Sequence, residues 1–299
     1  MTDTHTDQSP ATQTPSANPV TRFLRATEID TRLLGMVGAL LLIWIGFHLT
    51  GYYKNGFAAF LTPRNLWNLS VQTSSIGIMA TGMVLVIVTR HIDLSVGSIL
   101  GFAAIVMGVL QVNILPQYLG LGHPLIWIIA VLAGILVGAL VGAFHGWLIA
   151  YLTIPAFIVT LGGLLVWRGV AFLVARGETI SPVDPTFALL GGGPYGAVGA
   201  TGSWIVGLLA IVAILWILVS SRKRRADHGF AQRPVWAEGV LAVLGCGAVI
   251  GSVLLVNAYT WPKGIVNQYA AANAIVVPEG GLDISYGFAI PVLIMIGVG

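Results

Sequence analysis

Charge is what this chain has least of. Of its 299 residues only 8% are charged, while 57% are hydrophobic. A soluble domain carries about 25% charged residues, so a water-soluble globular fold is excluded. Cysteine is nearly missing as well. Cys246 stands alone inside an apolar run, which rules out an intramolecular disulfide and a cysteine zinc cluster and reads as a buried thiol. No Gly-rich loop ending in Gly-Lys-Ser/Thr occurs, so the chain does not bind and split ATP by that route. A His-Glu-x-x-His run and a Gly-x-Ser-x-Gly elbow are equally missing. His5, His48, His91, His123, His145 and His228 are scattered without ligand spacing, so no metal and no cofactor is expected. His145 reads as an interfacial structural residue.

What is present is long apolar sequence. About 20 apolar residues cross a hydrocarbon core, and eight stretches qualify or nearly do: Leu33–Thr50, Leu66–Thr89, Leu94–Val112, Leu125–Tyr151, Phe157–Ala175, Ser203–Val219, Gly239–Val256 and Ile284–Gly299. They are continuous rather than alternating, which argues against a β-barrel. The 38 glycines suit close helix approach in a membrane. An all-α, polytopic transmembrane helical bundle is therefore expected. The net charge of +3 and the pI near 9.2 come from basic residues at membrane boundaries, and no nucleic-acid partner follows from them.

Residues 1–30 open on a Thr-, Ser-, Gln- and Pro-rich stretch without an apolar core. That is no signal peptide and reads as a disordered cytosolic tail ahead of a transmembrane domain over 31–299. With the N-terminus inside, Arg22, Arg25, Arg32, Arg90, Arg222, Lys223, Arg224, Arg225 and Arg233 fall on the inner face. Lys54, Arg64, Arg176 and Lys263 fall outside, and Arg168 lies within a span. Nine against four supports a cytoplasmic N-terminus. Arg222, Lys223, Arg224 and Arg225, in a basic linker over 220–236, are candidate topology anchors, the alternative being a lipid- or partner-binding site. Two longer polar segments, Gly177–Gly202 and Asn257–Asp283, then lie outside. The final AIPVLIMIGVG reads as the start of a helix, so the domain is expected to be C-terminally incomplete.

The most informative stretch is MATGMVLVIVTRHIDLSVGS, Met79–Ser98. Asp93 is the only acidic residue between Asp30 and Glu178. Arg or Asp at a bilayer centre costs about 2.5–3.5 kcal/mol, so the cluster sits at a face, lines a cavity or is paired inside a bundle. Charge counting places it at the cytoplasmic turn. Asp93 or Ser95 can cap the N–H groups of the apolar helix that follows, Arg90 can pair with Asp93, and Gly97 with Ser98 offers a small-residue face. Direct solute contact is the alternative role for these five. At the start of the second span Asn68, Gln72, Thr73 and Ser74, with Thr160 farther on, offer hydroxyl and amide groups that line a path for a hydroxylated solute or bond helix to helix. The scarcity of ionisable groups within the spans argues against ion coupling, although an ion-driven secondary transporter of a small polar solute remains the rival reading.

QTSSIGIMATGMVLVIVTRHIDLSVGS resembles the signature of the permease subunits of bacterial ABC importers for ribose, xylose, galactose and related sugars. GAFHGWLIAYLTIPAFIVTLGGLLVWRGVAF, Gly142–Phe172, is similar to that family's central helices, and GETISP, Gly177–Pro182, follows at its spacing. The basic linker and WAEGVLAVLGCGAVIGSVLLVNAY after it look most like the xylose-type permeases. The resemblance implies a type II importer-like subunit of the bacterial inner membrane with no catalysis of its own. It further implies two cytosolic ABC ATPase subunits, a periplasmic sugar-binding protein, a second permease copy and surrounding lipid as partners. Two departures stand out. Arg90 and His91 occupy positions where smaller or acidic residues are expected, and the chain ends before the cytosolic stretch that should follow the eighth span.

Overall fold

The computed structural model describes residues 27–28, 30–57, 60–230, 232–278 and 281–299. The expected N-terminal tail lies outside them except for Thr27, Glu28 and Asp30. Among the described residues eleven α-helices run in the order α1 Thr31–Asn55, α2 Pro63–Val88, α3 Val96–Val109, α4 Leu115–Leu119, α5 Leu125–Ala150, α6 Ala156–Ala175, α7 Pro185–Leu190, α8 Gly199–Asp227, α9 Val235–Asn257, α10 Lys263–Ala272 and α11 Ile290–Val298. A π-helical turn, Leu110–Ile114, joins α3 to α4. No strand forms among the described residues; there are two isolated bridges, Ala197 with Ala289 and Thr260 with Ser285. Among the described residues seven helices are long and apolar enough to cross a membrane, and the chain is a multi-pass membrane protein.

Local chemistry explains most boundaries. Asp30 precedes α1 and accepts from the Arg32 N–H at 2.9 Å, while Gly56, at φ 74°, closes it in the left-handed region. The third crossing differs from expectation by running on to Leu119. Pro116 has no N–H and its ring crowds the carbonyl four residues back. The chain widens into the π-turn just before it, the Leu115 N–H reaching back to the Leu110 carbonyl, and Pro116 then sits in the first turn of α4, where proline is tolerated.

The eighth apolar stretch is where sequence and structure part. Ile284–Ala289 is not helical, because its backbone is bonded on both sides. Trp261 N–H donates to the Ile284 carbonyl at 2.8 Å and Tyr286 N–H to Tyr259 at 3.0 Å. On the other flank Val198 N–H donates to Phe288 at 3.0 Å and Gly199 N–H to Tyr286 at 2.9 Å. Gly287, at φ 69°, packs against the Gly199 carbonyl and Ser203 Oγ, where any Cβ would collide. Only after Pro291 supplies a helix start does α11 form, over Ile290–Val298.

Among the described residues two compact units result, 27–62 with Trp204–Leu254 and Pro63–Ser203 with Leu255–Gly299. In the first, Gly207 of α8 lies against Val253 of α9, and Phe60 stacks on Phe47 at 5.7 Å. No residue of the α1 span is buried, as befits a helix solvated by lipid or by another subunit. In the second, α3 packs on α5 and α6, and α11 on α2. Trp67, Val256, Tyr286, Ala289 and Val292 form its buried apolar cluster. There Trp67 Nε1–H donates to the Gly287 carbonyl at 2.8 Å, and Tyr259 stacks on Tyr286 with centroids 4.4 Å apart.

Candidate functional site

The signature turn begins where α2 stops. Arg90 N–H donates to Ile87 and His91 N–H to Val86, with Arg90 at φ 61°. This is the double bond pattern that closes a helix through one left-handed residue. Glycine suits that position; an arginine there bears about 1–2 kcal/mol of steric cost. The expectation of a smaller residue thus has a backbone cause. No ion pair joins Arg90 to Asp93 among the described residues. Asp93 Oδ1 instead accepts from the Ser95 N–H at 2.7 Å and the Ser95 hydroxyl at 2.6 Å. Ser95 is the residue preceding α3, and its own side chain caps no helix N–H. Ser98 returns its hydroxyl to the Ser95 carbonyl at 2.7 Å. Gly97 faces open space: a Cβ there would meet nothing within 4 Å.

Two other helices converge on this turn. Ser95 is fully buried, and its Oγ lies 3.4 Å from Nδ1 of His145 on α5. His145 Nε2 accepts from the indole Nε1–H of Trp167 on α6 at 3.0 Å. An indole only donates, so in the neutral imidazole the proton sits on Nδ1. The bonds then run in one direction, Trp167 to His145 to Ser95 to the Asp93 carboxylate. Thr160 on α6 hydrogen-bonds the Ile92 carbonyl at 3.2 Å as well as its own helix at Ala156. Phe102 of α3 stacks on Trp167 at 5.4 Å. Gly163 is what lets α6 approach, since a Cβ there would strike the His145 ring. The turn after α2 and the turn after α5 therefore lie on one side of this unit.

Asp, Ser and His together suggest a nucleophile, but the polarity is wrong for one. A catalytic histidine takes the serine proton and is oriented by the carboxylate. Here the serine proton goes to the carboxylate and the oxygen is sealed from solvent. The arrangement can pin three helix segments together; it cannot attack a carbonyl. Among the described residues no group of three His, Cys, Asp or Glu is placed to hold a metal.

The other sequence candidates fall elsewhere. Thr160 joins the Asp93–Ser95 node, but no hydrogen bond among the described residues brings Asn68, Gln72, Thr73 or Ser74 to it. Ser74, 1% exposed, donates to the Val71 carbonyl at 2.6 Å, and Thr73 donates to Leu69 at 2.8 Å. Such back-bonding to the preceding turn satisfies hydroxyls inside their own helix. Asn68 is half-buried and Gln72 exposed. His145, Trp167 and Gly163, which complete the node, carry no spacing signal, because the partners are joined only by the fold.

Residues 220–227 of the basic segment are the last turns of α8. Arg222 pairs with Glu238 at 2.6 Å, Arg225 grips Glu28 through two bonds at 2.8 and 2.9 Å, and Arg233 reaches Glu28 at 2.6 Å. Lys223 and Arg224 are exposed. The hydrogen bonds from Arg225 and then Arg233 pull the Glu28 carboxyl from 4.5 down to about 2. Its folded value is depressed, so the cluster's contribution is complete above pH 4.5 and fades as pH falls toward about 2. These groups are well solvated, which limits the effect to under about 1 kcal/mol. Thermal midpoints of the detergent-solubilised chain and of Glu28→Gln should differ at pH 7 and converge near pH 2; a constant difference would show that the ion cluster does not stabilise this unit.

The sequence profile of the family described as "Branched-chain amino acid transport system / permease component" matches residues 65–223. The xylose transport system permease protein XylH of Escherichia coli (strain K12) is 33% identical over 237 residues, 79% of this chain and 56% of that protein. The inner membrane ABC transporter permease protein YjfF of the same strain is 34% identical over 201 residues, 64% of this chain and 56% of that one. The autoinducer 2 import system permease protein LsrC of Escherichia coli O157:H7 is 30% identical over 232 residues, 74% and 64%. The chain thus spans between about half and two thirds of the length of these relatives. No solved structure matches it.

Proposed function

Because the chain belongs to the branched-chain amino acid transport system / permease component family, we propose that it is the membrane-spanning subunit of an ATP-driven importer for a monosaccharide, a pentose such as xylose before ribose or a hexose. The observation that carries this reading is the 33% identity to a xylose permease over 79% of the chain. A periplasmic binding protein delivers the sugar, two cytosolic ABC subunits hydrolyse ATP, and a second permease copy completes the pathway in the bacterial inner membrane. The N-terminus is cytoplasmic. That orientation is supported by the excess of Lys and Arg on the side of Arg90 and Arg222–Arg225.

In this reading the Asp93–Ser95–His145–Trp167 node holds the cytoplasmic turns as one rigid piece, the kind of element through which closure of an ATPase pair can move helices. Arg222, Lys223, Arg224 and Arg225 set topology, two of them through ion pairs.

Cells expressing the chain with its neighbouring binding protein and ATPase genes should accumulate radiolabelled D-xylose. In membrane vesicles the uptake should require ATP and the binding protein, stop with vanadate and survive an ionophore. Uptake that collapses with the ionophore and ignores vanadate would establish ion-coupled transport instead.

A further inference from the structure

One face of the α3–α6 pair is left open by the chain. Gly97, Gly101 and Ala104 follow one another along α3 at helical spacing, as do Leu164, Arg168, Ala171 and Ala175 along α6. Three cavities line up on this face. The first, about 350 Å³, is bounded by Gly97, Ser98, Gly101, Leu164, Arg168 and Ala171. The second, about 560 Å³, shares Gly101, Arg168 and Ala171 with it and reaches Ala175 and Glu178. The third, about 600 Å³, shares Ala175 and Glu178 and is ringed by Asn113, Gln117, Arg176, Thr179 and Ser181. Shared walls make them one continuous groove. It begins one helical turn from the signature turn and ends in a polar mouth at the far end of α6.

Arg168 decides what the groove is for. It lies seven residues before the end of α6, about 10 Å inside the helix terminus at 1.5 Å per residue. It is exposed on this face and makes no ion pair with a described residue. Left against hydrocarbon, an arginine near that depth costs up to about 2.5–3.5 kcal/mol. A bare apolar helix laid in the groove would leave the same charge uncompensated. Water in the groove solvates it without that cost. The mouth offers hydroxyl, amide and charged groups, and its size falls in the range of small-molecule sites, about 300–1,000 Å³. A guanidinium has five donors and no acceptor, so it suits a solute rich in hydroxyl oxygens.

Resting on the transport reading above, we propose that the α3–α6 groove is a water-filled lane for a small neutral polyhydroxylated solute, entered between Asn113 and Glu178, with Arg168 as the hydrogen-bonding station along it. The small residues of the groove walls leave room for the solute. Buried Gln111, whose Nε2 has no partner among the described residues, lies in the π-turn beside Val112 and Asn113 of the mouth.

The single native thiol makes the test direct. In a Cys246→Ser background, Ala104→Cys, Ala171→Cys and, as a control on the exposed middle of α5, Leu140→Cys are exposed in intact membranes to a membrane-impermeant anionic methanethiosulfonate. Only a hydrated thiol ionises to the reactive thiolate, so residues 104 and 171 should react at least about ten-fold faster than residue 140. Adding Arg168→Gln should slow the anionic reagent at residue 171 while leaving a neutral one unchanged. If residues 104 and 171 are as inert as residue 140, lipid or another helix fills the groove and the lane is wrong. If they react but Arg168→Gln changes nothing, Arg168 does not face the lane. Labelling needs no solute. A dry groove beside intact ATP-dependent D-xylose uptake would therefore overturn the lane alone, and a wet groove without such uptake would overturn the transport reading alone.

Discussion

Gly163→Ala is expected to destabilise the protein by about 2–4 kcal/mol, far more than alanine at a glycine elsewhere on the same helix. The added Cβ would overlap the His145 ring at Cε1 and come within 2.7 Å of Nε2. That ring is held from both sides, by the Trp167 indole at 3.0 Å and by Ser95 at 3.4 Å, and has no flexible end to yield. Either the ring leaves its position and both bonds break, or α6 moves away from α5. Overpacking typically costs about 1–3 kcal/mol and each lost hydrogen bond about 1 kcal/mol. Gly169→Ala supplies the comparison: nothing lies within 4 Å of its added Cβ, so only the gain in helix propensity, about 0.5–1 kcal/mol, should appear. Thermal unfolding of the detergent-solubilised variants, with their abundance in membranes, reads the difference. Equal stability of the two would mean that the His145 ring does not sit where the node places it.

Asp93→Ala should be nearly as damaging, and Asp93→Asn should not. The carboxylate oxygen accepts from both the N–H and the hydroxyl of Ser95, which is wholly buried. Removing the acceptor leaves two buried donors unsatisfied at once. Charge-assisted bonds contribute about 1.5–3 kcal/mol and a stranded buried donor costs about 1–3 kcal/mol, so a loss near 3 kcal/mol is expected. Asparagine keeps an oxygen that can accept from both groups and should recover most of it. Solute uptake by the alanine variant should fall with the amount of folded protein, while the preference among sugars stays the same. An alanine variant that accumulated normally but selected a different sugar would place Asp93 in contact with solute.

Much of the architecture was legible in the chain. Seven of the apolar runs coincide with the helices that, among the described residues, are long and apolar enough to cross a membrane, because a bilayer imposes its thickness on sequence directly. The family was legible too, since Met79–Ser98 and Gly142–Pro182 carry it as contiguous residues. Misreadings arose where backbone partners are distant in sequence. Ile284–Ala289 is as apolar as a helix, yet its N–H and C=O groups find partners in Val198, Gly199, Tyr259 and Trp261, which hydropathy does not register. The crossing from Val96 continued past Val112 because a π-turn absorbed Pro116.

The sequence by itself determined that this is a multi-pass helical membrane protein of a permease family, because solvent preference and motif identity are local properties of the residues. Only the tertiary structure decided what the charged interruption at Arg90–Asp93 does. Asp93 turns to Ser95 rather than to Arg90, and His145 and Trp167 reach the same point from helices 50 and 72 residues farther along. Hydrogen bonds are short-ranged and directional, so which donor meets which acceptor is settled by how helices pack.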